Sequence, residues 1–170
     1  IWLVALARQR ERGYVIPLEH PESPWTKDAE RLAVIYDRLR RLLREKRVNA
    51  HNIKFDTRWA KRRNIDVNVW FDSMLGAHIL DENRRVALEA LTRTELGVGE
   101  AWGKGKLKFD PPSPLSDMIP YAGRDVCYAH ALFEEEREQL NADQPRARLM
   151  KRVVLPGLAA LTKAELHGIW

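Results

Sequence analysis

The sequence has one cysteine, Cys127, so it can form neither an internal disulfide nor a cysteine metal cluster. A single thiol within an apolar stretch fits packing in a reducing compartment. No run approaches the ~18 apolar residues of a membrane span, and no signal-peptide pattern is present. Internal repeats and low-complexity tracts are absent. No Gly-Lys-Ser/Thr opens a helix, which excludes a phosphate-binding P-loop. What remains is 170 residues with 29 Lys+Arg against 24 Asp+Glu. That length supports one domain with a real core. The small basic surplus is compatible with a polyanionic partner. The chain starts at Ile1 with residues that already read as the inside of a sheet, so the sequence reads as a fragment of something longer.

Ile1 to Ala7 is a short apolar run, expected as a buried strand. Arg8 to Gly13 is a charged turn, and Tyr14 to Leu18 is the return strand of a β-hairpin, with Pro17 limiting further pairing. His20 lies in a loop and is expected to be structural. Thr26 is expected to cap a helix reaching about Lys46, with Leu32, Ile35, Leu39 and Leu42 buried and a basic, solvated opposite face. Val48 to His51 reads as a strand running into a short helix that starts at Asn52. Val67 to Phe71 alternates as another strand, and Asp72 or Ser73 caps the helix after it. Asn83 to Leu96 is expected to be mostly helical. Gly97 to Pro114 is a long Gly-, Lys- and Pro-rich loop of the kind that is often functional.

The stretch that organises the rest is Tyr121-Ala122-Gly123-Arg124-Asp125. Pro120 reads as the first residue of a helix, where its missing N–H costs nothing. Ala122, Val126, Ala129 and Phe133 form one apolar stripe. Tyr121 and Asp125, four apart, lie one above the other on a neighbouring face. A carboxylate there can hold a divalent cation, and a phenol beside it can orient a water. An amphipathic helix with a rim tyrosine and a solvated aspartate would show the same spacing. Asn52 and Asp56 are also four apart, near a strand-to-helix junction where α/β proteins place their sites. A plain N-cap and a favourable first-turn acid would account for them equally. After the helix through Leu140, a polar break with Pro145 precedes a final helix from about Leu149, which Gly168 ends.

Taken together, these segments carry a resemblance. His51-Asn52-Ile53-Lys54-Phe55-Asp56 resembles the second motif of the DEDD 3′–5′ exonucleases. Asp72-Ser73-Met74-Leu75 resembles the Asp-Thr-Met-Leu stretch of family A DNA polymerases. Pro120 to Asp125 resembles the third exonuclease motif in its tyrosine variety, and Leu155-Pro156 to Ile169 resembles the helix leading into the polymerase domain. The chain is thereby identified with the proofreading 3′–5′ exonuclease domain of family A DNA polymerases. The resemblance implies an α/β, ribonuclease H-like three-layer fold with a mixed central sheet, apparently without its first strand. It implies an exonuclease domain at 1–145, truncated at its N-terminus, and the start of the connection to the polymerase domain at 146–170.

The chemistry implied is two-metal phosphodiester hydrolysis with Mg2+ or Mn2+. By resemblance, Asp125 and Asp56 are metal ligands, Tyr121 orients the attacking water, and Asn52, Phe55 and Tyr121 contact the 3′-terminal nucleotide. The implied partners are a single-stranded 3′ end of DNA and the polymerase domain of the same parent chain, with no membrane. The implied location is the cytoplasm of a bacterial or phage-infected cell. Phe55, Trp59, Trp102 and Phe109 are candidates for stacking on bases. The family's first motif is Asp-x-Glu on the first strand of the sheet; none is read before Asn52, and the strand carrying it is expected upstream of Ile1. The chain alone is therefore expected to bind metal weakly and turn over poorly. Two alternatives stay open: a ribonuclease D-like exoribonuclease, and a catalytically inactive module that binds nucleic acid or braces the polymerase.

Overall fold

The structure is a computed structural model that describes residues 1–99, 105, 107–108 and 111–168. Trp102 and Phe109, with part of the expected Gly/Lys loop, lie outside the described residues, as does Ile169. The described chain alternates strands and helices as an α/β protein of ribonuclease H-like type.

Strands β1 (Leu3–Gln9) and β2 (Arg12–Pro17) form an antiparallel hairpin in which Leu6 faces Tyr14. Strands β3 (Val48–Ala50) and β4 (Val69–Asp72) pair in parallel. Both polarities of the expected mixed sheet are therefore present. Among the described residues they are two separate two-stranded sheets, with no ladder joining β1 to β3. Gly13 is a strand residue, not the turn residue expected. A Cβ there would meet the Gly123 carbonyl oxygen at 2.7 Å, so glycine lets the hairpin lie against the backbone of α5 (Leu115–Ala142). Arg10, at the hairpin tip, bonds Glu134 and Glu135 of α5, each at 2.7 Å.

Helix α1 (Ala29–Glu45) starts later than expected. Asp28, not Thr26, is the cap and accepts from the Arg31 N–H at 2.9 Å. Thr26 turns back to the Ser23 carbonyl. Tyr36 and Leu39 are the buried residues of α1, packed with Leu18 and Ile65, whereas Leu42 is exposed and Leu43 joins the core instead.

Helix α2 (Ile53–Lys61) follows β3, and α3 (Ser73–Leu80) follows β4. Helix α4 (Leu88–Glu95) covers only the second half of the expected helical stretch, its buried Leu91 packing with Ala77 and Leu132. Helix α5 starts five residues before Pro120, which lies inside the helix and not at its head. The cause is remote in sequence. Glu22 accepts from the Leu115 N–H at 2.9 Å, and His20, fully buried, bonds the Ser113 carbonyl oxygen at 2.9 Å. Leu115, Met118 and Ala122 then bury one face across the proline. The C-terminal part is α6 (Gln144–Leu149), a π-helical turn (Met150–Val154) and α7 (Leu155–Leu166). The polar break shrinks to Asp143, which ends α5 and caps α6. Pro156 has no N–H for the turn before it, where the helix widens to π. Gly168, at φ 88°, follows the end of α7 as expected. No described helix is long and apolar enough to cross a membrane.

Candidate active site

The site is built on helices α2 and α5, and one buried carboxylate fixes the start of α2. Asp72 is fully buried at the end of β4. It accepts from the N–H groups of Asn52 and Ile53 at 3.1 and 3.0 Å, and from those of Met74 and Leu75 at 2.9 and 3.4 Å. One side chain thus caps both α2 and α3 and locks the two strand-to-helix junctions together. Burial pushes the Asp72 carboxyl up, and the four N–H donors pull it only part of the way back.

Because Asp72 does the capping, Asn52 does not. Asn52 stands at the N-cap position of α2 with a left-handed backbone (φ 57°, ψ 49°) and makes no side-chain capping bond. Asparagine tolerates that conformation better than most residues. The plain N-cap explanation of Asn52 therefore fails. Its side chain lies instead on the wall of an open groove of about 340 Å³ shared with Lys54, Met74, Leu75 and Leu158. Asp56, Tyr121 and Asp125 are not on that wall.

One helical turn on, Asp56 is open to water in a depression with protein around most of it. Its carboxyl is pushed up to about 6, first by desolvation, then by the negative charge of Asp72, with Asp125 adding to it. Helix α5 supplies the opposing pair. The Tyr121 hydroxyl hydrogen-bonds the Asp125 carboxylate four residues on. Desolvation and that negative neighbour push the phenol well above its usual range, so it stays a protonated donor. The fold therefore brings Asp56, Asp125 and Tyr121 into one electrostatic neighbourhood, with Asn52 at the head of α2 and Phe55 exposed beside Asp56. The Phe55 N–H donates to the Asn52 carbonyl oxygen at 3.0 Å, and its ring meets Trp59 edge-on at 6.2 Å.

A carboxyl raised by burial and by neighbouring carboxylates suits a hard divalent cation, which would relieve the repulsion through oxygen ligands. The donor set is small: among the described residues no three His, Cys, Asp or Glu side chains converge on a common cation position. The sequence reading missed one acidic pattern. Asp28-Ala29-Glu30 is an Asp-x-Glu before Asn52, but it lies at the start of α1, where Asp28 caps the helix, and not on a strand. It also missed the double capping role of Asp72, for which the Asp-Ser-Met-Leu string offered only the α3 half.

A family model described as 3′–5′ exonuclease, of family A DNA polymerases, matches residues 3–141. The chain belongs to this 3′–5′ exonuclease family. The match spans β1 to the end of α5 and so includes every candidate site residue. DNA polymerase I of Chloroflexus aurantiacus is 33% identical over 129 residues, covering 71% of this chain and 14% of that protein. DNA polymerase I of Aquifex aeolicus is 31% identical over 111 residues, 61% of this chain and 18% of that protein. The DNA polymerase of Bacillus phage SP01 is 26% identical over 181 residues, 98% of this chain and 19% of that protein. The chain thus spans less than a fifth of the length of these curated relatives. Exonuclease domains of this family hydrolyse nucleic acid from the 3′ end with divalent metals.

Proposed function

We propose that this exonuclease domain proofreads for a DNA polymerase, removing the 3′-terminal nucleotide of a frayed single strand. The observation that carries the reading is the Tyr121–Asp125 pair of α5 in the electrostatic field of Asp56 on α2. Asp125 and Asp56 would hold Mg2+ or Mn2+. Bound there, the metal supplies a nucleophilic water near neutral pH and charge stabilisation for the leaving oxygen. The residues do the rest. Tyr121, kept protonated, orients the attacking water through its hydroxyl, Asn52 contacts the terminal nucleotide with a side chain not used in capping, and Phe55 supports its base. Readout of a particular base is not expected, since a proofreader must accept any 3′ terminus.

The division at 145/146, with the last helices connecting to a polymerase domain of the same parent chain, is part of this proposal. It is supported by large apolar side chains left exposed on those helices, Val153 and Leu161 each at 60%. Polymerase relatives from bacteria and a phage support a cytoplasmic setting. One observation favours a second reading, a module that binds the strand without cutting it: among the described residues no three His, Cys, Asp or Glu side chains converge on a cation position.

The test is cleavage of a 5′-labelled single-stranded DNA in Mg2+ or Mn2+, by this chain and by a form extended upstream. The proposal expects shortening from the 3′ end in the extended form, weaker or none in this chain, and at least a ~100-fold loss in Asp125→Ala. Binding without cleavage in both forms would replace it with the second reading.

A further inference from the structure

Helix α2 divides its surface by function. Its buried stripe is Ile53 and Ala60, and one flank carries Asp56. The other flank faces α7, where Glu165 takes Lys54 at 2.7 Å and Arg58 at 3.3 Å. Lys61 is held by Asp66, and Arg63 by Glu19 at 2.6 Å. Between the two flanks runs a third line, Phe55, Trp59 and Arg62, at positions i, i+4 and i+7. It is engaged differently. Phe55 is 56% and Trp59 43% exposed, with their rings edge to face at 6.2 Å. The Arg62 guanidinium lies over the Trp59 ring, 4.4 Å from its centroid, and among the described residues it pairs with no carboxylate.

We propose that Phe55, Trp59 and Arg62 form a track for single-stranded DNA that leads from the terminal nucleotide, at Phe55, to the nucleotide next to it, at Trp59 and Arg62. This rests on the proofreading reading for its direction, with the 3′ terminus at Asp56. Two exposed rings and an arginine without a carboxylate partner suit a chain of bases joined by phosphates: the rings stack on bases, the cation meets the backbone, and neither depends on sequence. The line is continuous with the site, since Phe55 adjoins Asp56 and Trp59 lies one turn beyond on the neighbouring face. The helical rise separates Phe55 from Trp59 by about 6 Å along the axis. That exceeds the about 3.4 Å between stacked bases, so the track holds the strand extended, one base to a ring.

The experiment measures binding of the 170-residue chain to 5′-fluorescein oligothymidylate by anisotropy, in EDTA so that nothing is cut. Trp59→Ala is expected to weaken a decanucleotide about tenfold. It should leave competition by thymidine monophosphate unchanged. Trp59→Phe, which keeps a stacking face, should retain most of the affinity. Arg62→Ala should flatten the slope of log affinity against log salt by about 0.7, one phosphate contact on a single strand. If Trp59→Ala keeps its circular dichroism and binds the decanucleotide like wild type, the track is overturned. An equal loss on the mononucleotide also overturns it, because Trp59 would then belong to the terminal-nucleotide site. A Trp59→Ala defect confined to binding a separate polymerase domain assigns the face to protein and overturns it too. The proofreading reading stands or falls separately, on whether Asp125→Ala loses cleavage in Mg2+.

Discussion

Asp72 and Asp56 lie within each other's field at the same end of α2, yet they are opposites. Asp72 is fully buried and receives four backbone N–H groups. Asp56 is open to water on one side, and its carboxyl is pushed up first by desolvation and then by the charge of its neighbours. The first has its bonding capacity filled by the fold; the second is held beside negative charge that its own backbone N–H offsets only in part. A carboxylate kept in that condition is poised for a ligand that the fold does not contain.

The sharpest way to break this contrast is substitution. Asp72→Ala leaves the N-termini of α2 and α3 without their shared acceptor and should cost about 3–5 kcal/mol in urea denaturation. Asp56→Ala should change stability by less than about 1 kcal/mol. Equal losses would mean that Asp56 is structural after all.

Glu136 offers a second contrast, a buried carboxyl with no metal role. Burial pushes it up to about 9, with Arg84 opposing and the charges of Asp72 and Glu95 adding. Folded, it keeps its proton; unfolded, it loses it near its ordinary pKa. The folded chain therefore binds more protons between about pH 4.5 and 9, and stability falls as pH rises through that window. Glu136→Gln should remove about 3 kcal/mol of that decline between pH 4.5 and 7. A wild-type stability flat across the window would contradict it.

Asp56→Asn should give the smallest effect. A raised carboxyl destabilises the fold increasingly from the ordinary aspartate range up to about pH 6, then constantly above it. Solvent screening limits the gain on neutralising it at pH 7 to about 1 kcal/mol or less. Added Mn2+ should raise the melting temperature of wild type and leave Asp56→Asn unmoved.

Much of the site was legible because it is periodic. The four-residue spacings put Tyr121 with Asp125, and Asn52 with Asp56, on one helix each from the sequence alone, and the strand-to-helix junction at Asn52 is equally plain there. What was not legible depends on contacts distant in sequence. Pro120 looked like the head of α5 because nothing local reveals that Glu22 caps the helix at Leu115. Asn52 looked like a cap because nothing local reveals that Asp72 reaches across to α2. The division into two two-stranded sheets was not legible either, since whether β1 pairs with β3 is a property of neighbours and not of either strand's pattern.

The central claim is that Asp56 and Asp125 together hold a divalent cation at this site. Titration of the chain with Mn2+, followed by loss of the free-ion electron paramagnetic resonance signal, tests it without requiring turnover. The account predicts weak binding that disappears in both Asp56→Asn and Asp125→Asn and persists in Asp66→Asn, an exposed aspartate elsewhere. Identical Mn2+ binding by all four proteins would contradict it.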